Sequence, residues 1–234
     1  MRERLDKFLA SQGLGTRKEV GKLIRSGAVL VNGAPQRDPG AKVEPGADRV
    51  TAQGEEIRYQ EFLTIMLNKP AGVLSATEDR RQKTVLDLLP EGLRRRGLFP
   101  AGRLDKDTTG LLLITDDGEL AHKMLSPKSH VYKQYRAQLD APVEEADIQA
   151  FAAGVAWEGE QYAPARLWVE QDPRAAFVEI REGRFHQVKR MFQARGKTVL
   201  QLKRLKIGGL WLDSTLQEGE CRLLTPQEIQ AIFH

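Results

Sequence analysis

Residues 102–110, Gly-Arg-Leu-Asp-Lys-Asp-Thr-Thr-Gly, are bounded by glycines and run straight into Leu111-Leu112-Leu113-Ile114-Thr115. That apolar run is too short for a helix, and Asp116-Asp117-Gly118 behind it are turn formers. The pattern therefore predicts a tight polar loop feeding a buried strand. A chain built this way must contain a sheet that carries the loop at a strand edge. The loop holds two carboxylates, Asp105 and Asp107, set between Arg103 and Lys106. A neighbouring cation favours the charged form, so such a carboxylate stays ionised at neutral pH and suits a nucleophile or a base. Aspartate in a loop rich in Gly and Thr also serves as a turn or cap residue. Local sequence leaves both roles open.

With 234 residues the chain can form one large core, or a small domain beside a medium one. No apolar run approaches the roughly 20 residues of a membrane span. Residues 1–15 lack the apolar stretch of a secretory signal, so a cytoplasmic protein without a membrane partner is expected. A single cysteine, Cys221, forbids an internal disulfide and a cysteine-based zinc site. Its simplest role is that of a small packing residue. The net charge is +4, and its distribution says more than its size. Arg2, Arg4, Lys7, Arg17, Lys18, Lys22 and Arg25 face only Glu3, Asp6 and Glu19, so the first 26 residues hold an excess equal to that of the whole chain. Clustering of this kind is an electrostatic footprint for a polyanion.

Within that segment Leu5, Phe8 and Leu9 form one helical stripe, which Gly13 and Gly15 interrupt. Thr16-Arg17-Lys18-Glu19 has the form of a capping box opening a second helix, with Val20, Leu23 and Ile24 inward. Lys18, Lys22 and Arg25 fall at i, i+4 and i+7 and share one solvent-facing edge. Gly27 ends the helix, and Val29-Leu30-Val31 leads into Asn32-Gly33, a pair that supplies the positive φ angles of a type I′ hairpin turn. Gly54 to Glu61, polar and acidic, is read as the last strand of this module and then the linker, with one domain at residues 1–60 and another at 62–234. The spacing of Gly15, Gly21 and Lys22 does not make a phosphate-binding P-loop, since five residues separate the glycines and Leu23 follows the lysine.

In the second domain Phe62 to Leu67 reads as a strand that enters Asn68-Lys69-Pro70-Ala71-Gly72, where the Pro and Gly force a turn. Thr84 to Leu89 reads as a short capped helix ended by Pro90. The cations Arg94-Arg95-Arg96 follow in a loop and are expected to meet phosphate or solvent. Glu119 to Leu125 is a helix stopped by Ser126-Pro127, and Tyr132 to Arg136 opens a strand. A helix at Glu144 to Phe151, a strand at Ala165 to Val169, and Trp157 and Trp168 as packing residues complete the middle. Phe177 to Ile180 is a strand ahead of Glu182-Gly183-Arg184-Phe185-His186-Gln187-Val188-Lys189-Arg190-Met191-Phe192. Phe185, Val188 and Phe192 share a helical face, with Gly196 as C-cap. His186 has no second histidine or cysteine at ligand spacing, so no metal site is expected. Thr225-Pro226-Gln227-Glu228 starts a final helix that docks through Ile229, Ile232 and Phe233.

The block Gly102-Arg103-Leu104-Asp105 with Thr108, Gly110, Leu111 and Leu112 resembles the active-site motif of the RNA pseudouridine synthases. Phe99-Pro100-Ala101 and Asp116-Asp117-Gly118 around it resemble the branch that includes ribosomal small-subunit pseudouridine synthase A. Asn68-Lys69-Pro70-x-Gly72, Gly183-Arg184-x-x-Gln187-Val188 and Leu202 to Gly209 match in the same order, and the N-terminal module resembles a ribosomal-protein-S-four-like RNA-binding domain through Arg4-Leu5-Asp6-Lys7 and Gly27 to Gly33. The likeness spans nearly the whole chain. It implies an α+β fold, a small N-terminal α/β RNA-binding module followed by a catalytic domain on a mixed, largely antiparallel sheet. It assigns Asp105 as the catalytic carboxylate and Lys189 as the cation paired with it, Arg190 being the alternative. It also assigns Tyr135, two residues after a lysine, as the aromatic against the target base, in preference to Tyr132. Arg4, Lys7, Arg17, Lys18, Lys22, Arg25, Arg103, Arg184 and Arg190 are the expected RNA contacts. Asn68 to Gly72 is expected to face the RNA, and apolar residues of 202–209 to line the pocket.

Moving a ribose from N1 to C5 of uracil needs no redox change and no group donor, so neither metal nor cofactor is expected. The step does need a carboxylate near the sugar, as nucleophile at C1′ or C6 or as base at C2′. A stacked uridine must first be flipped out, at a cost of about a few kcal/mol, and the resemblance implies that Arg103, two residues before Asp105, fills the gap. The expected partner is ribosomal RNA, 16S RNA or a small-subunit assembly intermediate, met by a monomer. The competing readings are the same reaction on 23S RNA and a non-catalytic RNA-binding assembly factor. A glycoside hydrolase using Asp105 and Asp107 is disfavoured, because an extended backbone would turn them to opposite faces.

Overall fold

A computed structural model describes residues 2–57, 59–95 and 97–234. Arg58 of the linker and Arg96 of the arginine run lie outside the described residues. The chain divides into two compact units, one made of residues up to 63 together with 89–98, the other of 64–88 and 99–234.

In the first unit a short strand β1 (Glu3–Arg4) leads into α1 (Leu5–Ser11), whose Leu5, Phe8 and Leu9 are buried. Helix α2 (Arg17–Arg25) opens on the expected capping box: Glu19 N donates to Thr16 Oγ1 at 3.3 Å and Thr16 N to Glu19 Oε2 at 2.8 Å. Strands β2 (Val29–Val31) and β3 (Ala34–Gln36) form the hairpin, with Asn32 at φ 52° and Gly33 at φ 82° in its turn. Strand β4 (Lys42–Val43) pairs with β1, while β5 (Val50–Ala52) and β6 (Glu55–Ile57) complete a sheet of order β3-β2-β5-β6. Both helices and this sheet enclose one core that includes Leu5, Phe8, Leu9, Val20, Ile24 and Val50.

Residues 89–98, placed by the sequence inside the second domain, fold with the first unit. The reason is visible in the arginines expected to meet phosphate. Arg95 donates from Nη1 to Gln60 O at 3.0 Å and to Ser11 O at 3.3 Å, and from Nη2 to Glu61 O at 2.7 Å. Arg94 Nε donates to Leu89 O at 2.7 Å. A rigid guanidinium fork suits backbone carbonyls that no strand or helix satisfies.

The second unit is built on a sheet of order β13-β14-β10-β15-β9-β7-β17. Its members are β7 (Thr64–Lys69), β8 (Phe99–Pro100), β9 (Thr109–Thr115), β10 (Lys133–Leu139), β13 (Arg166–Val169), β14 (Ala175–Ile180), β15 (Val199–Ile207), β16 (Leu210–Trp211) and β17 (Cys221–Leu223). β8 pairs with β9 and β16 with β15, and a separate small hairpin joins β11 (Ala156–Trp157) to β12 (Glu160–Gln161). Only the β15–β9 contact among these pairings is parallel, so the sheet is mixed and largely antiparallel. Gly110 is needed at that parallel contact, because a Cβ there would run into Arg204 O and its φ is +97°. Helices α3 (Gly118–Leu125), α4 (Glu145–Ala153), α5 (Gln187–Gln193) and α6 (Pro226–Ala231) complete the unit. Met66, Leu111, Leu113, Met124, Ile207 and Ile232 share one core on this sheet.

Three local expectations shift. The first strand begins at Thr64 rather than at Phe62, which is exposed. Thr84 to Leu89 yields a single 3-10 turn, Val85–Leu88, with Asp87 Oδ2 accepting from Thr84 N at 2.7 Å. Helix α5 starts at Gln187, so Phe185 lies outside it and is 66% exposed instead of packing with Val188 and Phe192. No helix among the described residues is long and apolar enough to cross a membrane.

Candidate active site

Asp105 sits in the loop between β8 and β9, and three groups from one preceding segment pin that loop. Lys69, the last residue of β7, is 0% exposed, and its Nζ lies 2.9 to 3.2 Å from Pro70 O, Asp105 O, Lys106 O and Thr108 O. Three ammonium protons thus serve four carbonyls. Gly72 N donates to Lys106 O at 2.7 Å. Ser75 Oγ donates to Leu104 O at 2.8 Å and accepts from Leu104 N at 3.0 Å. Burial pulls the Lys69 pKa down to about 8, against the attraction of Asp107 and Asp105. Lys69 is therefore not a surface lysine; it braces the backbone that presents Asp105. The sequence signal was its place at the end of an apolar run just before a proline.

An extended backbone sends Asp105 and Asp107 to opposite faces. The loop instead closes a turn, Thr108 N donating to Asp105 O at 3.1 Å, and both carboxylates reach one ammonium. Lys189 Nζ, from α5, lies 3.1 Å from Asp105 Oδ2 and 2.6 Å from Asp107 Oδ1. Asp107 is 74% exposed, whereas Asp105 is 25% exposed. Burial works against the Lys189 charge, but the two carboxylates outweigh it and hold its pKa above the ordinary lysine value. The hydrogen bond from Lys189 holds Asp107 below the usual carboxylate range. His186, at φ 52° ahead of α5, brings Nε2 to 3.5 Å from Asp105 Oδ1. Arg190 turns away to Glu160 Oε1 at 3.2 Å and the Tyr162 hydroxyl at 3.3 Å. Of the two cations considered as the partner of Asp105, Lys189 is the one that meets it.

Asp105 opens onto a cavity of about 530 Å³ whose lining includes Arg103, Leu104, Tyr135, Arg184, Leu202 and Arg204. That volume falls in the range of small-molecule sites. Tyr135 lies on β10 opposite Arg204 of β15 and is buried, while Tyr132 is exposed. Arg204 Nη1 donates to the Tyr135 hydroxyl at 3.4 Å. Leu202 fits the expectation of an apolar lining from 202–209, and Arg204 departs from it.

The remaining expected RNA contacts divide by their partners. Arg4 and Arg17 both donate to the buried Asp6, at 3.0 and 2.9 Å, and Lys7 pairs with Glu3 at 3.1 Å. Arg184 donates to Gln161 O at 2.7 Å and pairs with Glu160 at 3.4 Å. Lys18, Lys22, Arg25 and Arg103 are exposed and make no ion pair among the described residues.

Comparison with known proteins adds independent findings. A family model described as RNA pseudouridylate synthase matches residues 63–194, and one described as S4 domain matches residues 3–48. The chain is 46% identical to an uncharacterized RNA pseudouridine synthase of Bacillus subtilis (strain 168), over 98% of each chain. It is 42% identical to ribosomal small subunit pseudouridine synthase A of Escherichia coli (strain K12), over 98% of this chain and 99% of that one. A solved pseudouridylate synthase superposes with a TM-score of 0.68 at 39% identity, covering 98% of this chain and 99% of the other.

Proposed function

Because the chain belongs to the RNA pseudouridine synthase family, we propose that it isomerises a specific uridine of 16S ribosomal RNA to pseudouridine, with Asp105 as the catalytic carboxylate acting on a flipped-out nucleotide. The observation that carries the residue assignment is the Asp105–Lys189 pair, 3.1 Å apart at the edge of a cavity that Tyr135 also lines. Small-subunit RNA as the target is supported by the full-length likeness to a relative named for it.

The uridine leaves its stack and enters the cavity base first, with the ribose toward Asp105. Lys189 orients the carboxylate for attack at C1′ or C6, or for proton removal at C2′. Because Lys69, Gly72 and Ser75 fix the loop backbone, the carboxylate meets the sugar with little reorganisation. Tyr135 packs on the flipped base. Arg103, beside Asp105 and exposed, fills the vacated stack. Lys18, Lys22 and Arg25 supply phosphate contacts from residues 1–60, the RNA-binding module, while residues 62–234 carry the chemistry. Arg4, Lys7, Arg17, Arg184 and Arg190 reach RNA only through the donors that their present partners leave over. In this reading the protein works in the cytoplasm as a monomer, on 16S RNA or on an assembling small subunit.

Mapping pseudouridines in ribosomal RNA from cells with and without the protein tests this. One 16S position that loses its modification supports the reading. A lost position in 23S RNA moves the target, and an unchanged map removes the reading.

A further inference from the structure

Once Lys189 has taken Asp105 and Asp107, two buried cations in the cavity wall remain without a counter-charge. Lys133 and Arg204 are 6% and 5% exposed, both line the cavity, and neither joins an ion pair among the described residues. Lys133 Nζ has three N–H donors and gives one hydrogen bond, to Arg181 O at 3.2 Å. Arg204 donates from Nε to Leu111 O at 2.7 Å and from Nη1 to the Tyr135 hydroxyl, while its Nη2 is buried with no partner. Lys133 and Tyr135 are two residues apart on β10, and Arg204 stands opposite Tyr135, so all three share one side of the sheet. Burying uncompensated cations is costly. Burial, with Arg204 adding repulsion, brings the Lys133 pKa down to about 8. A cavity that holds these charges unpaired is built for an occupant that supplies negative charge.

We propose that Lys133 is a catalytic residue: its ammonium donates to a carbonyl oxygen of the flipped uracil and, with the Arg204 guanidinium beside Tyr135, stabilises the negative charge that gathers on the ring as the C1′–N1 bond breaks. This rests on the function proposed above. Each of the three routes open to Asp105 places charge on the uracil. Attack at C1′ or proton removal at C2′ expels the ring with the bonding electron pair, and attack at C6 sends electrons to O4. Over the whole reaction the C1′–N1 bond is replaced by C1′–C5, and the proton lost from C5 is matched by one gained at N1. Lys133 ends protonated, as it began. A backbone phosphate offers the same acceptor chemistry. The flipped nucleotide stays joined to its strand, however, and its phosphates remain at the mouth, where the exposed Arg103 stands, while Lys133 is buried in the sheet wall.

The test compares full-length wild type, Lys133→Met and Lys133→Arg on a ribosomal RNA transcript that wild type converts, measuring single-turnover rate, RNA affinity and the pH profile. Lys133→Met is expected to slow the rate about 100-fold, as does loss of a charge-stabilising donor elsewhere, with RNA affinity unchanged. The wild-type rate is expected to fall as pH rises past about 8, because the ammonium is then lost. Asp105, Tyr135, His186, Arg181 and Arg204, which face the same cavity, are present in all three proteins. Lys69, also brought down to about 8 beneath the Asp105 loop, is unchanged in all three. The alkaline fall of Lys133→Arg, which keeps its charge, is therefore expected to move to higher pH than in wild type. An unmoved profile overturns the proposal, and this arm stands even if Lys133→Met does not fold. An unchanged rate in Lys133→Met, or a loss confined to affinity, as for a phosphate contact, overturns the proposal while the isomerase stands. A wild type that forms no pseudouridine in any ribosomal RNA removes both.

Discussion

Lys69 shows how much of a candidate site can be made by a side chain that does not line its cavity. Its buried ammonium lies within hydrogen-bond distance of the carbonyls of residues 105, 106 and 108. Lys69→Met keeps the length and removes the donors. Asp105 O and Lys106 O keep one backbone donor each, from Thr108 N and Gly72 N. The buried Thr108 O loses its ammonium donor, at a cost of roughly 1–3 kcal/mol. The variant is expected to unfold at lower urea and to lose single-turnover rate by a larger factor than RNA affinity. Equal losses in both would make Lys69 a general stability residue only. The contact between Asp105 and Lys189 was legible beforehand because the family resemblance rests on motifs that stand as contiguous blocks. The bracing by Lys69 was not, since its burial arises when a loop 36 residues later folds back over it. Lys133 and Arg204 escaped for a similar reason: charge in a strand reads as solvent-facing until the neighbouring strands are known.

At the scale of elements, helix ends and turns were the most readable features, because their chemistry is local. Thr16 with Glu19, Asn32 with Gly33, and Thr225 with Glu228 all take the geometry their residue types dictate. Helix α5 is the instructive miss. Phe185, Val188 and Phe192 have helical spacing, yet His186 adopts a positive φ of 52° and turns Phe185 outward. Spacing alone does not report the one backbone angle that starts the helix late. On α2 the readable pattern carries a functional expectation. Changing Lys18, Lys22 and Arg25 together to Gln is expected to weaken RNA binding and to flatten the plot of log affinity against log salt by about 2 to 3. Filter binding across a salt titration measures it, and an unchanged slope would take this helix edge out of the RNA interface.

For the whole molecule, the mixed, largely antiparallel sheet was legible in outline through the family resemblance. The return of residues 89–98 to the first unit was not, since it depends on carbonyls left open by distant segments. Acid stability is another property of the assembled chain. Hydrogen bonds from Arg4 to Asp6, from Thr215 to Asp213, and from Arg222 to Glu228 are the largest influences that bring each carboxyl down to about 2. A carboxylate with a depressed folded-state pKa contributes stability that is present above its unfolded value and lost as pH falls through the folded one. The melting temperature is therefore expected to hold through neutral pH and to fall between about 4 and about 2. Arg222→Met is expected to lower the neutral-pH melting temperature and make the acid fall shallower. Thermal unfolding across that pH series checks both.

The most direct measurement is pseudouridine formation at single-nucleotide resolution in a 16S transcript incubated with wild type or with Asp105→Asn, alongside RNA binding by each. Conversion of one uridine by wild type, none by Asp105→Asn, and equal binding by both is the predicted result. Pseudouridine formed by Asp105→Asn at the wild-type rate would contradict it.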